Sequence, residues 1–433
     1  MNNKLKPYNK YKYSKIPYNT HIPFDWMEYP FFAIANIKSV TNKVNEDLLS
    51  VFLDRGVIKY NETKGVQVHK PSQDLTNYQL VEPGNLVLNN QQAWRGSVGV
   101  SSHQGIVSPA YYVFDLSKLI EPEFGNYLFR DSVMVNQFAL SSKGVGSIQR
   151  NIYYPSLKRA IVPIPPEKEQ KKIAEFLNFK TSKIDRFIKI KTKLIQTLKE
   201  QKITLINDVI TKGLNPEVKM KPSGIKWIGE IPENWDLKRG KQILRKLDRG
   251  ISDNDEVVTC FRDGEVVLRS KRREDGFTVS FKEIGYQGVE KGDLVIHGMD
   301  GFAGAIGISK DKGKCSPVYN VCTNIVDLNL EYITFYLRML AMNDVFLALA
   351  TGIRERSCDL RWNKVANLVY IVPPKEEQDK IVDYINNQLS RINKTISKIE
   401  NEIKLITEYR SRLISDVVTG QVNVSGIKLD NQM

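Results

Sequence analysis

Carboxamide and basic side chains cluster directly after a short apolar run in the first half of the chain. The run L-V-L is followed by N-N-Q-Q-A-W-R, which supplies Asn89, Asn90, Gln91, Gln92, Trp94 and Arg95. Carboxamides pair with adenine, and guanidinium groups pair with guanine, at the base edges of the major groove. We therefore interpret this segment as a candidate base-reading loop, with an ordinary solvated turn as the alternative.

Further segments carry the same kinds of side chain. In the first half, S-K-G-V-G-S-I-Q-R contributes Lys143, Ser147, Gln149 and Arg150. In the second half, the basic run L-R-S-K-R-R and the turn after a second apolar run contribute Arg269, Lys271, Arg272, Arg273 and His297. G-I-R-E-R-S, with Arg354 and Arg356, takes the place of K-G-V-G-S-I. Positive charge and polar groups suit contacts to phosphates and base edges, so we expect these residues to share one kind of binding.

No catalytic motif is evident in the sequence. It lacks the N/D-P-P-Y/F loop with which amino-methyltransferases hold a flipped base, and it lacks a G-x-x-x-x-G-K-[ST] phosphate loop. The four histidines are scattered, and the cysteines do not have the C-x-x-C spacing of a zinc site. The sequence therefore favours binding over catalysis and predicts no metal site.

Charge points to a polyanionic partner. The 433 residues include 63 Lys and Arg against 49 Asp and Glu, a formal net charge of +14, which makes nucleic acid the first candidate. No apolar run predicts a membrane span, and the basic N-terminus does not resemble a secretory signal. We expect a cytoplasmic protein with reduced, mostly structural cysteines.

The polar segments lie on a duplicated frame. P-P-E-K-E-Q-K-K-I begins at Pro165 and P-P-K-E-E-Q-D-K-I begins at Pro373, 208 residues later. Seventeen of the 47 positions from Pro165 to Thr211 match their partners, which indicates duplication. Matching S-P-x-Y turns lie upstream, so a globular half with mixed strands and helices precedes each repeated segment.

Each repeated segment shows the heptad pattern of an amphipathic helix. The predicted packing residues are Leu177, Ile184, Ile188, Ile195, Leu198, Leu205, Ile385, Ile392, Ile396, Ile399, Ile403, Ile406 and Leu413. A helix of about 45 residues is roughly 65–70 Å long, which is more than one small domain covers. We expect the two stripes to bury each other in an antiparallel pair, with the domains at opposite ends. The alternatives are that each helix packs on its own domain, or that the chain dimerises through them.

The order and spacing of these motifs resemble the specificity subunit of type I restriction–modification systems. The resemblance rests on S-G-I-K-W-I-G-E-I-P-E-N-W from Ser223 to Trp235, both P-P-x-x-E-Q-x-K-I helix starts, both helix ends and both S-P-x-Y turns. It implies an α+β fold of two similar target-recognition domains, each followed by a long helix, with the helices in an antiparallel coiled coil of pseudo-two-fold symmetry. The expected divisions are a basic lead (1–21), domain one (22–164), the central helix (165–213), domain two (214–372), the distal helix (373–420) and a tail (421–433).

The resemblance also implies a function without catalysis. Each domain would read one half of a split site in double-stranded DNA, and the helices would set the gap and bind two modification (methyltransferase) subunits. S-adenosylmethionine and ATP would lie on partner subunits, with restriction subunits completing an ATP-dependent translocase and nuclease. The alternatives are a methyltransferase or nuclease with an unrecognised site, a coiled-coil adaptor without sequence readout, and a lone transcriptional regulator.

Overall fold

The computed structural model describes residues 5–17, 19–53, 55–63, 70–144, 150–272, 284–348 and 360–429. The chain divides into two compact units. The first unit comprises Met1–Lys191 with Asn401–Met433, and the second comprises Thr192–Glu400. Each unit therefore contains one globular domain, the start of the long helix that follows it and the end of the other long helix.

The first unit is built from short antiparallel strands and short helices. Its strands are Tyr11–Tyr13, His21–Pro23, Met27–Pro30, Ala35–Lys38, Leu49–Phe52, Gly56–Lys59, Gln79–Val81, Leu86–Asn89, Val98–Val100, Gly105–Val107, Tyr111–Leu116, Ser142–Lys143, Asn151–Ile152 and Ile161–Ile164. Its short helices, including two 3-10 turns, are Phe31–Ile34, Tyr60–Thr63, Ala93–Arg95, Pro122–Arg130, Ser132–Leu140 and Tyr154–Leu157. The central sheet has four strands, in the order Ala35–Lys38, Tyr111–Leu116, Leu86–Asn89 and Val98–Val100.

The second unit repeats this plan. Its strands are Met220–Pro222, Glu230–Pro232, Asp236–Arg239, Leu244–Lys246, Val258–Cys260, Val266–Leu268, Gln287–Val289, Leu294–His297, Ile306–Ile308, Gly313–Cys315, Tyr319–Asn324 and Val369–Val372. Its short helices and 3-10 turns are Gly240–Ile243, Arg269–Lys271, Gly301–Ala303, Leu330–Met342, Val345–Ala348 and Trp362–Asn367. The central sheet again has four strands, in the order Leu244–Lys246, Tyr319–Asn324, Leu294–His297 and Ile306–Ile308. The mixed strand and helix content predicted from the sequence is therefore present in both units.

The N-terminal lead contributes to the first domain. Tyr11–Tyr13 pairs antiparallel with His21–Pro23, just as Met220–Pro222 pairs with Glu230–Pro232 in the second unit. Upstream of this hairpin, Lys6 forms a β-bridge with Asn423 of the C-terminal tail. The structure thus extends the first globular domain upstream of residue 22, where the sequence had predicted a separate lead.

Two long helices follow the globular domains. The central helix is Glu167–Lys212, of 46 residues, and the distal helix is Lys375–Val418, of 44 residues. Six of the predicted packing residues are buried, namely Leu177, Ile184, Ile385, Ile396, Ile399 and Leu413. The other seven are half-buried, so the whole stripe is at least partly removed from water.

The two helices run antiparallel within each unit. In the first unit, Lys191 Nζ lies 2.7 Å from Glu402 Oε2, and Arg410 Nε lies 3.1 Å from Asp185 Oδ1. Residue numbers decrease along the distal helix as they increase along the central helix, so the two helices are antiparallel. In the second unit, Lys202 Nζ donates to Asn393 Oδ1 at 2.8 Å. The sequence predicted that the apolar stripes of the two helices pack against each other. In addition, the C-terminal end of each helix packs in the core of a globular domain.

The repeated E-Q pair anchors the start of each long helix to its own domain. Trp26 Nε1 donates to Glu169 Oε1 at 3.3 Å, and Trp235 Nε1 donates to Glu377 Oε2 at 2.9 Å. The glutamines that follow, Gln170 and Gln378, make hydrogen bonds to the backbone. Each accepts one main-chain N–H and donates to the carbonyl oxygen of the proline at the helix start. The motif is therefore a set of hydrogen bonds that satisfies polar groups buried at this junction.

A glycine closes each long helix against a domain. Gly213 and Gly420 both have φ of +76°, the left-handed conformation that ends many helices. A Cβ on Gly420 would lie 2.3 Å from Pro23 Cδ, and a Cβ on Gly213 would lie 2.9 Å from Glu377 Oε1. Both conformation and space therefore require glycine at these two ends.

Three free cysteines, Cys260, Cys315 and Cys322, are buried in the second unit. Burial raises the pKa of the Cys315 and Cys322 thiols to about 12 and raises that of Cys260 further. The fourth, Cys358, lies outside the described residues. Across the described ranges, no helix has the length and apolar character needed to cross a bilayer.

Candidate functional site

A turn at the end of a central strand recurs in both units. In the first unit, Leu86–Asn89 runs into the 3-10 turn Ala93–Arg95, which ends at Gly96 with φ of +101°. In the second unit, Leu294–His297 runs into Gly301–Ala303, which ends at Gly304 with φ of +92°. The left-handed glycine reverses the chain into the next strand of the sheet, so each turn is fixed at both ends. We call these two segments the strand-end turns.

Asn89 and Asn90 hold the first strand-end turn in place. Asn89 Oδ1 accepts the Gln91 backbone N–H at 3.0 Å, and Asn90 Oδ1 accepts the Ile152 backbone N–H at 2.9 Å. Gln91 is exposed and Gln92 is half-buried. Both asparagines therefore have a local role, and Gln91 offers the most accessible carboxamide of the predicted cluster.

An aromatic and basic patch adjoins this turn. The Arg95 and Arg150 guanidinium carbons lie 4.5 Å and 5.4 Å from the centroid of the Trp94 ring, and Lys143 Nζ lies 3.5 Å from that of Tyr153. Trp94 itself is fixed because its Nε1 donates to the Gln91 carbonyl oxygen at 2.8 Å. The first-unit patch, Trp94, Arg95, Lys143, Arg150 and Tyr153, thus joins the two clusters predicted separately from the sequence.

The hairpin Ser142–Lys143 with Asn151–Ile152 brings the second cluster to the first. Ile152 donates its N–H to Asn90, which ties the hairpin to the strand-end turn. In the part of the chain that the structure describes, Arg95, Lys143 and Arg150 have no carboxylate partner. Ser147 and Gln149, also predicted here, lie outside the described residues.

The second unit has a cleft of about 570 Å³ beside its strand-end turn. Its lining includes three of the predicted residues, Arg269, Arg272 and His297, together with Arg262, Tyr286 and Tyr319. Arg269 Nε donates to Thr259 Oγ1 at 3.2 Å, and Arg272 lies over the Phe261 ring with its guanidinium carbon 4.1 Å from the centroid. Arg273, Arg354 and Arg356 lie outside the described residues.

Two of the predicted basic side chains of the second unit are paired with carboxylates. Arg272 contacts Asp263 at 2.6 Å and Glu265 at 3.2 Å, and Lys271 contacts Asp311 at 2.6 Å. The Arg272 guanidinium holds the pKa of Asp263 below its ordinary value, and Lys271 does the same for Asp311. An incoming phosphate would therefore have to compete with internal carboxylates, unlike at the first-unit patch.

His297 occupies the position that Asn89 holds 208 residues earlier. Its Nδ1 accepts the backbone N–H groups of Met299 at 3.2 Å and Asp300 at 3.0 Å, so the ring hydrogen is assigned to Nε2. Burial lowers the pKa of His297 below its ordinary value, against an opposing effect of Asp300, and the ring is neutral at pH 7. Asn89 and His297 thus stabilise their turns in the same way, by accepting backbone N–H groups. The remaining side-chain N–H donor is an amide in Asn89 and an imidazole in His297.

Tyr153 in the first unit and Arg262 in the second were not among the site residues predicted from the sequence. Arg262 Nη2 lies 2.9 Å from Asp300 Oδ1, and both residues line the cleft. Tyr153 follows the hairpin strand and is placed against Lys143 by the fold. Aromatic residues next to the basic segment were a usable signal for Tyr153, whereas Arg262 lies in a turn remote in sequence from His297.

The sequence comparisons point to one class of protein. Residues 25–200 match the type I restriction modification DNA specificity domain family. The chain is 26% identical over 266 residues to a Methanocaldococcus jannaschii protein assigned as the specificity subunit of the type I restriction enzyme MjaX, a match covering 58% of this chain and 60% of the relative. It is 24% identical to the MjaVIII specificity subunit of the same organism, over 70% of this chain and 71% of the relative. It is 19% identical to the StySPI specificity subunit of Salmonella potsdam, over 93% and 90%.

Solved structures share the fold. A chain from a study of the assembly and conformational transition of a type I restriction–modification system matches with a TM-score of 0.67 and 12% identity, over 92% of this chain and 99% of that chain. The HsdS subunit of Thermoanaerobacter tengcongensis matches with a TM-score of 0.52 and 13% identity, over 92% and 98%. These structural likenesses show the shared fold, and the sequence similarity to type I specificity subunits confirms the resemblance that the motifs predicted.

Proposed function

We propose that this chain selects the DNA sites of a type I restriction–modification complex, and that each unit reads one half of a bipartite double-stranded site. Duplication with divergence carries the proposal. The same strand-end turn occurs twice on the same sheet frame, yet Asn89, Gln91 and Arg95 are replaced by His297, Met299 and Ala303. Two dissimilar surfaces on one frame suit two different half-sites.

The two units divide base and phosphate contacts differently. In the first unit, the exposed Gln91 and Arg95 are the proposed base readers, since a carboxamide suits adenine and a guanidinium suits guanine. Lys143 and Arg150 supply positive charge for the phosphate backbone. In the second unit, Arg269 and His297 line the cleft and are the proposed readers of the other half-site.

Partner subunits supply the chemistry in this proposal. Two methyltransferase subunits with S-adenosylmethionine would modify adenine, and restriction subunits with ATP would translocate and cleave DNA, all in the cytoplasm. Exposed apolar side chains on the long helices support partner docking; in the first unit these are Phe187, Ile190, Leu405 and Tyr409. Such side chains on an otherwise polar helix surface are suited to burial against another protein.

A domain exchange tests the proposal directly. The complex is produced with its methyltransferase subunits, and methylated bases are mapped by single-molecule sequencing. Replacing residues 22–164 with the matching segment of another specificity subunit is expected to change one half-site and leave the other unchanged. The reciprocal control replaces residues 214–372 and is expected to change only the second half-site. A change in both halves after either exchange would contradict independent reading.

A further inference from the structure

A second basic feature of the second unit adjoins the far side of its strand-end turn. A cleft of about 670 Å³ is lined by residues of the globular domain and of both long helices. Its charged lining consists of four basic side chains and two carboxylates, Lys202, Lys291, Lys310, Arg338, Asp263 and Glu331. The carboxylates have partners of their own, because Asp263 is paired with Arg272 and Glu331 accepts from Asn386 Nδ2 at 2.9 Å. Lys310 is likewise paired, with Glu265 at 2.8 Å, so the excess positive charge of the cleft comes from Lys202, Lys291 and Arg338.

Two of these cations are partly withdrawn from water. Lys202 interrupts the apolar stripe of the central helix, and its Nζ donates to the neutral Asn393 side chain. Burial, and then the positive charge of Arg338, lower the pKa of Lys202. Arg338 Nη1 donates to the Gly304 carbonyl oxygen at 2.8 Å. Over the described ranges, neither cation has a carboxylate within ion-pair distance.

The first unit shows the same cluster with one carboxylate in it. The positions of Arg338, Asn393 and Lys202 correspond, at a separation of 208, to Arg130, Asp185 and Arg410. There Arg410 Nε lies 3.1 Å from Asp185 Oδ1. The duplicated cluster thus has a carboxylate in the first unit and an amide in the second. Asp263 attracts Arg338 from beyond ion-pair distance, but no carboxylate of the described residues lies against Lys202 as Asp185 lies against Arg410.

We propose that this cleft of the second unit binds a phosphate group, held by Lys202 and Arg338. Partly buried cations are costly unless they are paired, and a phosphate oxygen accepts charge-assisted hydrogen bonds from both ammonium and guanidinium donors. The phosphate of a DNA backbone and that of a small phosphorylated ligand share this chemistry. The proposed base readers Arg269 and His297 do not line this cleft, so its test does not depend on them.

Restoring the missing carboxylate tests the site. Asn393→Asp copies the arrangement of Asp185 and is expected to weaken binding of inorganic phosphate by about tenfold, the loss of one charged hydrogen bond. Binding is measured by isothermal titration calorimetry on the full-length chain, against sodium chloride at matched ionic strength. Asn387→Asp makes the same chemical change on the same helix outside the cleft lining and is expected to leave binding unchanged. Lys202→Met provides a second loss variant, and circular dichroism verifies folding.

A duplex DNA arm identifies the source of the phosphate. If the source is the DNA backbone, Asn393→Asp also weakens duplex binding and reduces the slope of log K against log salt by about one. If it is a small phosphorylated ligand, duplex binding is unchanged while phosphate binding falls. Both results support the site. Failure of the wild-type chain to bind phosphate, or equal phosphate binding by the wild type and Asn393→Asp, overturns the proposal. If phosphate does not bind but Asn393→Asp captures a methyltransferase subunit more weakly than the wild type does, the cleft binds a carboxylate of that protein instead.

Discussion

The Trp–Glu hydrogen bond at each domain–helix junction is a single contact with a measurable energy. Trp235 is buried and donates to the Glu377 carboxylate at 2.9 Å. Trp235→Phe removes the donor and leaves a small cavity, so we expect the free energy of unfolding to fall by about 2 kcal/mol or more. Urea denaturation followed by circular dichroism at 222 nm measures it.

Trp227 offers the matched control for this change. It lies in the same unit, and its side chain is 45% exposed. Trp227→Phe is expected to alter the free energy of unfolding by less than about 0.5 kcal/mol, as for most surface substitutions. Equal effects of the two substitutions would show that the Trp235–Glu377 contact is unimportant for stability.

His297 makes the stability of the second unit depend on pH. Burial lowers its native pKa below the ordinary 6.5, so the unfolded chain binds the proton more readily than the native one. The corresponding stability is complete above the unfolded pKa and is lost as pH falls through the lowered native pKa. His297→Asn, which copies Asn89, is expected to flatten this loss. Urea midpoints between pH 8 and pH 5 report it, with the exposed His21→Asn as control.

Arg95 and Lys143 separate base contacts from phosphate contacts. Arg95→Gln is expected to relax preference at one base pair of the first half-site, at about 1–3 kcal/mol for the preferred base. Lys143→Gln is expected to weaken binding to all sequences and to reduce the salt slope by about one. Fluorescence anisotropy with site and scrambled duplexes, over a salt series, distinguishes them. Identical profiles for the two variants would remove this division of roles.

At the scale of elements, the glycine that closes the distal helix combines two constraints. Gly420 has φ of +76°, and an added Cβ would lie 2.3 Å from Pro23 Cδ. Gly229 has nearly the same φ, +77°, and a Cβ added there would have no neighbouring atom within 4 Å. Gly229→Ala is expected to cost about 1–2 kcal/mol from conformation alone, and Gly420→Ala more because of the clash. Thermal unfolding of both variants measures the difference, and equal costs would argue against close packing at the helix end.

The long helices were predictable because the heptad spacing can be recognised within a short stretch of sequence. The positions in this pattern must be apolar because they are buried between the helices. The boundaries Glu167–Lys212 and Lys375–Val418 lie within two residues of the expected prolines and close to the expected glycines. The strand-end turns were predictable as polar loops, since they follow apolar strands. Charge pairing was not: Arg272 meets Asp263, and Arg262 meets Asp300, only because separate loops converge in the fold. The hairpin of Tyr11–Tyr13 was also missed, since its sequence differs from that of its repeat.

At the scale of the whole molecule, the proposed function predicts that the length of the long helices sets the spacer between the two half-sites. Deleting residues 190–196 together with 398–404 removes one heptad from each helix and preserves both the Asp185–Arg410 and the Lys202–Asn393 pairings. Each helix shortens by about 10 Å, so the non-specific spacer is expected to shorten by about three base pairs while both half-sites persist. Mapping methylated bases in the assembled complex measures the spacer. An unchanged spacer would show that the helices do not set it.

The uneven distribution of cysteine has a practical consequence. All four cysteines follow residue 259, and the three that the structure describes are buried thiols of the second unit with raised pKa values. A native thiol of this kind alkylates slowly, because little thiolate forms and reagents cannot reach it. After Cys358→Ser, the alkylation rate therefore follows transient opening of the second unit alone. The remaining native cysteines of this variant thus report the opening rate of one half of the protein, and the effect on that rate of a ligand bound to either half can be measured.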